Sequence, residues 1–254
     1  MRISRLLGMA IAAIILCVGF ASCSSDDNGE EDNGGGTVTT GKLLRSMTKK
    51  DGHSTYTSTF IYNANKQLTS ATSGYDGERI NATWSDNSII VETIASWKEE
   101  PATFSLEKGI VISTITGSDA ETLTYDSSNH LTKISGYTNC TWSWTNGNIS
   151  QFSYLDNGET LTYICTYYTD KENKHPIVDI DALRLYYVCG IEWGDLLLKA
   201  HPNLLGTTNK NLLKSVTRND GWSRSYTYEV DSEGYPTKIV ETDGGDTTYT
   251  LIWQ

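Results

Sequence analysis

The chain has 254 residues, with 31 acidic against 20 basic side chains and a formal net charge of −11. It contains 33 Thr, 25 Ser and 15 Tyr but only 4 Pro, and it has no run of 18 apolar residues. This composition argues against collagen, coiled coils, generic disorder and a membrane-spanning helix. The acidity argues against nucleic acid as a partner, because phosphate groups need a basic surface.

Residues 1–22 have the features of an export signal. Arg2 and Arg5 form a basic start, an apolar stretch follows, and small residues directly precede Cys23. The arrangement resembles a bacterial lipoprotein signal, which implies that Cys23 becomes the lipidated first residue of the mature chain. The alternative is an ordinary cleaved signal or an uncleaved anchor. We therefore expect the membrane to be a partner through an N-terminal lipid anchor.

Residues 23–41 form an acidic segment in which five acids and no base occur between Ser24 and Gly36. Such a stretch buries too little apolar surface to offset its ordering entropy, so we predict a disordered, extended tether. A Ser followed by acids after the lipidated Cys resembles the export signal of Bacteroidetes-type lipoproteins, which implies an outer-membrane, surface-exposed location. A plain solvated spacer is the alternative.

Residues 42–254 alternate between apolar and polar side chains with a period of two. The segments 226–230 and 247–253 alternate large apolar residues with Thr or acids, which is typical of strands with one packed face and one polar face. Asn-Gly and Asp-Gly pairs between such segments predict hairpin turns. The fold class is therefore all-β: a large antiparallel meander of about sixteen strands, closed or strongly curved into a barrel-like sheet, with one short helical insertion.

Internal repeats support the meander. Residues 43–54 reappear, nearly residue for residue, as 212–223, and a turn motif occurs at 62–69, 125–132 and 230–237. In the motif, Asx side chains are expected to bond their own backbone, and the fifth residue is expected near the left-handed region.

Residues 170–211 break the alternation. A charged loop is followed by helical spacing between Asp179 and Leu198, and Asp181 and Asp195 are candidate N-caps for one or two short helices. We expect this insertion to plug or cover one open end of the sheet.

The runs 200–206, 209–212, 226–228 and 231–238 resemble the C-terminal half of a Bacteroidetes lipoprotein family of unknown function, described as having a porin-like β fold. The resemblance covers about residues 42–254. The turn motif is also similar to the Tyr-Asp repeats of large bacterial surface and toxin-shell proteins, although its copies here are 63 and 105 residues apart. The resemblance implies a fold and an envelope location, and it transfers no active-site residue.

The ionisable residues predict no catalytic, cofactor or metal site. Hydrolase, Walker and dinucleotide motifs are missing from the sequence, and its histidines lack metal spacing and are expected at the surface or in turns. Asp179 and Asp181 could form a carboxylate pair or a cation site, but capping of a helix start is favoured. The histidines are His53, His130, His175 and His201.

Three cysteines remain in the folded part, Cys140, Cys165 and Cys189. They permit one disulfide at most, and their spacing matches no zinc pattern. We expect them to be buried small apolar residues rather than catalytic thiols, because no neighbouring group would lower the thiol pKa.

Aromatic residues are the better candidates for binding. Trp142 and Trp144 share a strand face, and Trp222 is expected at a hairpin tip, where exposed rings could stack on sugars. The alternative is that these rings fill the interior of a curved sheet. Asp246-Thr247-Thr248 fits a short acceptor pattern for O-glycosylation at Thr247.

Two classes of function remain. We expect a non-enzymatic, surface-exposed binding module for glycan or another extracellular ligand. The alternative is a structural or partner-binding component of an outer-membrane assembly, with an outer-membrane protein as partner, and an enzyme ranks third. A membrane-inserted barrel is disfavoured because both strand faces carry polar residues.

Overall fold

The computed structural model describes residues 41–94, 100–156, 158–188, 194–242 and 246–254. The export signal, the lipidated Cys23 and almost all of the acidic tether lie outside the described residues, as does Cys189. The predictions for these segments therefore stay predictions.

The described chain forms a closed barrel of sixteen antiparallel strands, which confirms the predicted fold class. Each strand pairs with its neighbours in sequence, and β1 pairs with β16 to close the sheet. None of the helices within the described ranges is long and apolar enough to cross a membrane. The strands are β1 Leu44–Asp51, β2 Ser54–Tyr62, β3 Leu68–Thr72, β4 Arg79–Trp84, β5 Ser88–Ile94, β6 Ala102–Glu107, β7 Ile110–Thr116, β8 Asp119–Tyr125, β9 Leu131–Gly136, β10 Cys140–Thr145, β11 Asn148–Asp156, β12 Glu159–Glu172, β13 Asn211–Arg218, β14 Ser223–Val230, β15 Pro236–Thr242 and β16 Asp246–Trp253.

The period-two pattern separates an apolar interior from a polar exterior. In β2, Thr57 and Thr59 are exposed while Ser58 and Phe60 are buried. The same alternation in the other strands directs the Thr-rich faces to solvent and builds one continuous interior core. Single apolar side chains interrupt the outer face, among them Ile90 and Ile115.

The predicted turn chemistry is confirmed at all three copies of the turn motif. The fifth residues, Lys66, Asn129 and Gly234, have φ values of 60°, 58° and 89°. In the second copy, Asp126 Oδ1 accepts hydrogen bonds from the backbone N–H groups of Ser128 and His130, at 2.8 and 3.0 Å. The turns thus follow from local side-chain chemistry.

We call the two ends of the barrel the mouth and the base. The mouth carries the turns from odd to even strands, such as β1–β2, β3–β4, β9–β10 and β13–β14. The base carries the opposite turns, such as β2–β3 and β8–β9, and also the two ends of the insertion between β12 and β13.

A ring of aromatic residues closes the base. In seven of the eight odd–even hairpins of the described chain, an aromatic side chain near the end of the even strand hydrogen-bonds a backbone carbonyl near the start of the odd strand, at 2.6–2.9 Å. In these hairpins, the pairing between the two strands ends two or more residues before the aromatic residue and the carbonyl that it bonds. The aromatic residues are Tyr62, Trp84, Tyr125, Trp144, Tyr167, Tyr228 and Trp253.

The ring shows a regular repeat that sequence reading missed. With Leu106 of β6 in the remaining place, the first six positions of the ring follow one another at intervals of 22, 22, 19, 19 and 23 residues. Two of the three turn motifs found from sequence begin at members of this series, Tyr62 and Tyr125, whereas the third begins at Val230, two residues after Tyr228. The repeat is hard to see in the sequence because some of its positions carry Trp instead of Tyr, and one carries Leu106, which is not aromatic.

The insertion fills the barrel interior. It comprises α1 Ile177–Ala182, a 3₁₀ turn Leu185–Val188, α2 Asp195–Ala200 and a second 3₁₀ turn Pro202–Leu205. Sixteen strands enclose a lumen too wide for the wall side chains alone, and the apolar residues of the insertion complete the core. The barrel wall is bonded to the insertion by Trp142 Nε1, which donates to the Leu183 carbonyl at 3.0 Å. The insertion was expected to plug or cover one open end of the sheet; the structure packs its apolar residues into the interior core.

Three predictions for the insertion are wrong. Asp181 and Asp195 do not cap helices: the N-cap residues are Pro176 and Gly194, and neither makes a side-chain cap bond. Asp179 lies inside α1 and also does not cap it. His175 and His201 are not at the surface, because the insertion carries both into the core, where each is 3% exposed.

Candidate functional site

The mouth contains a cavity of about 350 Å³ between the barrel wall and the insertion. Its walls come from β1, β2, β16 and the β3–β4 turn, and its floor comes from α1 and α2. This volume lies at the low end of the roughly 300–1,000 Å³ that ligand sites occupy. The lining residues are Met47, Lys49, Asp51, Tyr56, Ser58, Ser73, Tyr75, Asp181, Asp195, Leu196, Lys199 and Tyr249.

Two tyrosines form one rim of the cavity. The rings of Tyr56 and Tyr75 lie 5.1 Å apart between centroids, inclined at 46°. Tyr56 is held on β2, and Tyr75 lies in the turn between β3 and β4 and is 67% exposed. The Asp76 side chain holds this turn, because the Glu78 N–H donates to Asp76 Oδ1 at 3.0 Å. An aromatic surface therefore faces solvent directly beside the polar floor.

The floor is a buried lysine between two carboxylates. Lys199 Nζ lies 2.6 Å from Asp195 Oδ2 and 3.0 Å from Asp181 Oδ2, and its side chain is 8% exposed. Burial alone would lower the pKa of Lys199, but the charges of Asp181 and Asp195 outweigh burial and raise it above its ordinary value. Lys199 therefore stays a cation throughout the physiological pH range.

Asp181 is the carboxylate that the cavity exposes. Its side chain lies below the rim of the cavity among many protein atoms, and 42% of its surface remains accessible to solvent. The surrounding wall raises the pKa of Asp181, while the attraction of Lys199 opposes the increase. The Asp181 carboxylate can thus accept hydrogen bonds from a ligand while Lys199 holds it in place.

A second polar group supports the wall behind Tyr249. Glu241 Oε1 lies 3.1 Å from Arg224 Nη1, and Glu241 Oε2 accepts a hydrogen bond from Tyr249 Oη at 3.2 Å. Burial raises the pKa of Glu241, and the Arg224 charge opposes that increase. The guanidinium of Arg224 also lies 4.9 Å from the Trp222 ring. These contacts link the wall of the mouth through an ion pair and a hydrogen bond.

Trp222 is half-buried in the β13–β14 turn, where sequence reading placed it, and it belongs to the mouth. Arg218 and Arg224 lie 5.6 and 4.9 Å from its ring, and Tyr163 packs edge-on at 6.1 Å. Trp222 thus borders the same end of the barrel as the cavity but does not line it.

The structure buries Trp142 and half-buries Trp144. Trp142 is 3% exposed and points into the core. Trp144 is half-buried at the base, stacks on His130 at 4.3 Å and donates to the Leu131 carbonyl. These contacts favour the interior-filling alternative for both residues.

The remaining predicted residues do not meet at one site. Cys140 and Cys165 are buried free thiols, as expected, and burial raises the pKa of each to about 12. Thr247 is half-exposed in β16 and pairs with Asp51 and Glu241, so its O-glycosylation stays a prediction.

Asp179 and Asp181 do not form a joint cation site. Asp179 is 1% exposed and accepts hydrogen bonds from Asn209 Nδ2 at 2.7 Å and Asn173 Nδ2 at 3.3 Å. Burial raises its pKa to about 7 against the effect of these bonds. Asp181 instead pairs with Lys199. Within the described residues, no group of three His, Cys, Asp or Glu converges as a metal site would require.

Sequence reading missed Tyr56, Tyr75 and Lys199 as site residues. Tyr75 precedes Asp76-Gly77, so its position at a turn could have been found. The pairing of Lys199 with Asp181 and Asp195 depends on how the insertion folds back inside the barrel. The finished site combines an aromatic rim, fixed charges and solvent access, which suits the binding of a polar ligand.

Comparisons with known proteins agree on the fold. No family model matches the chain, and no curated protein matches it. A porin-like protein from Bacteroides uniformis ATCC 8492 is 14% identical with a TM-score of 0.64, covering 83% of this chain and 98% of that chain. A porin-like protein from Bacteroides vulgatus ATCC 8482 is 12% identical with a TM-score of 0.56, covering 84% and 99%. The barrel is therefore similar in fold to porin-like proteins of Bacteroides.

Proposed function

We propose that this protein is a non-enzymatic binding module that takes a glycan into the cavity at its mouth. The observation that carries the proposal is the exposed Tyr56–Tyr75 pair beside the solvent-accessible carboxylate of Asp181. Sugar rings offer apolar faces that stack on tyrosines, and their hydroxyl groups donate to carboxylates.

The charges of the cavity favour a hydroxyl-rich ligand over a strongly charged one. Lys199 offsets one of the two charges of Asp181 and Asp195, and Lys49 Nζ lies 3.9 Å from Asp51 Oδ2, so one carboxylate charge of the cavity lining is left unbalanced. Paired charges of this kind present oriented hydrogen-bonding groups with little net attraction for a free ion.

We further propose that the barrel lies outside the membrane, lipid-anchored at Cys23 on the outer face of the outer membrane. The lipoprotein-like signal and the acidic segment support this location. The Thr-rich outer faces of the described strands also support it, because a lipid-facing band would be apolar. Incorporation of labelled palmitate, lost in Cys23→Ser, tests the anchor, and proteolysis of intact cells tests the exposure.

The binding proposal is tested on a glycan array with the purified barrel, followed by calorimetry on any glycan that binds. We expect Tyr75→Ala and Asp181→Asn each to weaken binding at least tenfold. The matched control is Tyr137→Ala, because Tyr137 is 82% exposed at the β9–β10 turn but does not line the cavity. Thermal unfolding of each variant separates lost binding from lost folding.

Two results would contradict the proposal. One is the failure of every arrayed glycan to bind. The other is a glycan whose affinity is unchanged in both Tyr75→Ala and Asp181→Asn.

A further inference from the structure

The lining of the mouth cavity carries more negative than positive charge. Three carboxylates and two ammonium groups line it, so one negative charge of the lining has no positive counterpart. The carboxylate of Glu241 behind the wall is paired with Arg224, 3.1 Å away, and does not alter this balance. The charged groups of the lining are those of Asp51, Asp181, Asp195, Lys49 and Lys199.

Asp181 is the carboxylate with the greatest capacity for a further partner near the insertion. Lys199 Nζ lies 2.6 Å from Asp195 and 3.0 Å from Asp181 Oδ2, so two carboxylates share one ammonium group. Among the described residues, Lys199 is the sole side chain within ion-pair or hydrogen-bond distance of the Asp181 carboxylate. Asp181 Oδ1 can therefore accept a donor that enters from the cavity.

The tyrosine rim supplies a second attraction for positive charge. The ring faces of Tyr56 and Tyr75 carry negative charge density, and an ammonium group within about 6 Å of such a ring is attracted to it. The chain makes the same contact elsewhere, since Lys171 Nζ lies 4.5 Å from the centre of the Tyr168 ring. The rim and Asp181 line the same cavity, so both favour a cationic group on a ligand bound there.

The excess of a single charge favours a cation that is attached to a larger ligand. A free ion would gain little from the cavity, because Lys49 and Lys199 offset the other two carboxylates. An amine carried on a sugar ring differs from a free ion, since stacking of the ring on the tyrosines already restricts its motion. The attraction between the amine and Asp181 then adds to the affinity at little further cost in entropy.

We propose that the cavity selects amino sugars, which carry an unacetylated, protonated amine, over neutral glycans of the same backbone. This inference rests on the proposed function and names the class of glycan that the same site takes. The sugar ring stacks on Tyr56 and Tyr75, and its ammonium group donates to Asp181 Oδ1. An N-acetyl group carries no charge and offers one N–H donor, so it does not replace the ammonium group.

The test uses a glycan array in which each backbone is present in three forms that differ at one ring position. The forms carry a hydroxyl, a free amine or an N-acetyl group at position 2, on oligosaccharides of glucose, galactose and mannose. Calorimetry then gives the ratio of the Kd of the hydroxyl form to the Kd of the amine form. We expect this ratio to be about ten, and to fall as salt is added.

Two variants should shift this ratio in opposite directions. Asp181→Asn removes the acceptor charge, so the ratio should fall to about one, and any general loss of sugar binding cancels in the ratio. Lys49→Gln removes a positive charge from the lining and should raise the ratio at least about twofold. The matched control is Asp119→Asn, since Asp119 is exposed at the β7–β8 turn of the mouth and does not line the cavity. It should leave the ratio unchanged, and thermal unfolding verifies that each variant folds.

The outcomes separate this inference from the proposed function. Amine forms that bind no more tightly than their neutral counterparts overturn the inference and leave glycan binding at the mouth intact. An amine preference that persists in folded Asp181→Asn also overturns it, because general attraction to an acidic protein would then be the cause. Failure of every arrayed form to bind overturns the inference and the proposed function together.

Discussion

The base and the mouth of this barrel are built from the same hairpins but treat polar groups in opposite ways. At the base, aromatic side chains bond backbone carbonyls and the insertion buries His175, His201 and Asp179. At the mouth, Tyr75 and Asp181 remain open to solvent around a cavity. One end of the barrel is thus closed by buried contacts, while the other end keeps a cavity that is accessible to solvent.

The contrast follows from the path of the insertion. The chain enters and leaves the lumen at the base, so the base must seal around two chain segments. Gly206, with φ of 79°, lets the returning segment pass close to the β8–β9 turn, where a Cβ atom would lie 2.2 Å from the Asn129 carbonyl oxygen. No such passage constrains the mouth.

The largest effect on stability is expected from a substitution that removes one of the aromatic side chains closing the base. Trp84 donates to the Leu68 carbonyl at 2.8 Å and packs edge-on against His201 at 5.2 Å. We expect Trp84→Ala to lower the free energy of unfolding by about 3–5 kcal/mol, because it opens a cavity and leaves the carbonyl without its donor. Urea unfolding measures this change. A loss below about 1 kcal/mol would mean that the base does not provide the stability.

The second prediction concerns the pH dependence of stability that arises from Asp179, which is buried at the base of the barrel. The pKa of Asp179 is about 7 in the folded protein and near 3.8 when unfolded, so its contribution is greatest below pH 4 and is lost as the pH rises through 7. The loss amounts to at most about 4 kcal/mol. Asp179→Asn should remove it, and the variant should gain stability relative to the wild type between pH 4 and pH 8.

Urea unfolding of both proteins at several pH values measures this difference. His175 and His201 titrate in both proteins, so the difference between them isolates Asp179. Parallel stability curves for the wild type and Asp179→Asn would show that Asp179 does not impose this pH dependence.

A smaller loss of stability is expected when only the hydrogen bond of one base residue is removed and its aromatic side chain stays in place. Tyr62 Oη donates to the Leu44 carbonyl at 2.9 Å. We expect Tyr62→Phe to cost about 0.5–1.5 kcal/mol. Tyr56→Phe is the matched change at the mouth and should cost less, because water in the cavity can replace the lost hydroxyl. Equal losses in urea unfolding would remove this distinction between the two ends.

The smallest effect on stability is expected at the mouth itself. Tyr75 is 67% exposed, so Tyr75→Ala should change the free energy of unfolding by less than about 0.5 kcal/mol. A much larger loss would mean that the tyrosine rim is part of the folded core rather than a surface kept for binding.

Much of the barrel could be predicted from sequence because the information is local. The alternation of Thr with apolar residues defines strands, and Asx and Gly residues define turns whose backbone angles were correctly expected at Lys66, Asn129 and Gly234. Closure could be named only as one of two outcomes, because it depends on the pairing of β1 with β16, some 200 residues apart.

The candidate site was less accessible to sequence reading. Tryptophans at 142 and 144 looked suitable for binding, but a strand face does not reveal whether it points into a lumen or out to solvent. Trp222 was placed correctly because its position depends on an adjacent Asp-Gly turn. The series of aromatic residues at the base was missed because its positions carry either Tyr or Trp. Both side chains can fill these positions, since each has one hydrogen-bond donor on a large apolar body.

The sequence by itself determined the strands, the turns and their number, because each depends on side chains within a few residues of one another. The tertiary structure decided that the sheet closes and that the insertion lies inside it. It also decided that Lys199 meets Asp181 and Asp195, and that His175 and His201 are buried. These outcomes depend on filling a lumen that sixteen strands enclose, and no short stretch of sequence contains that requirement.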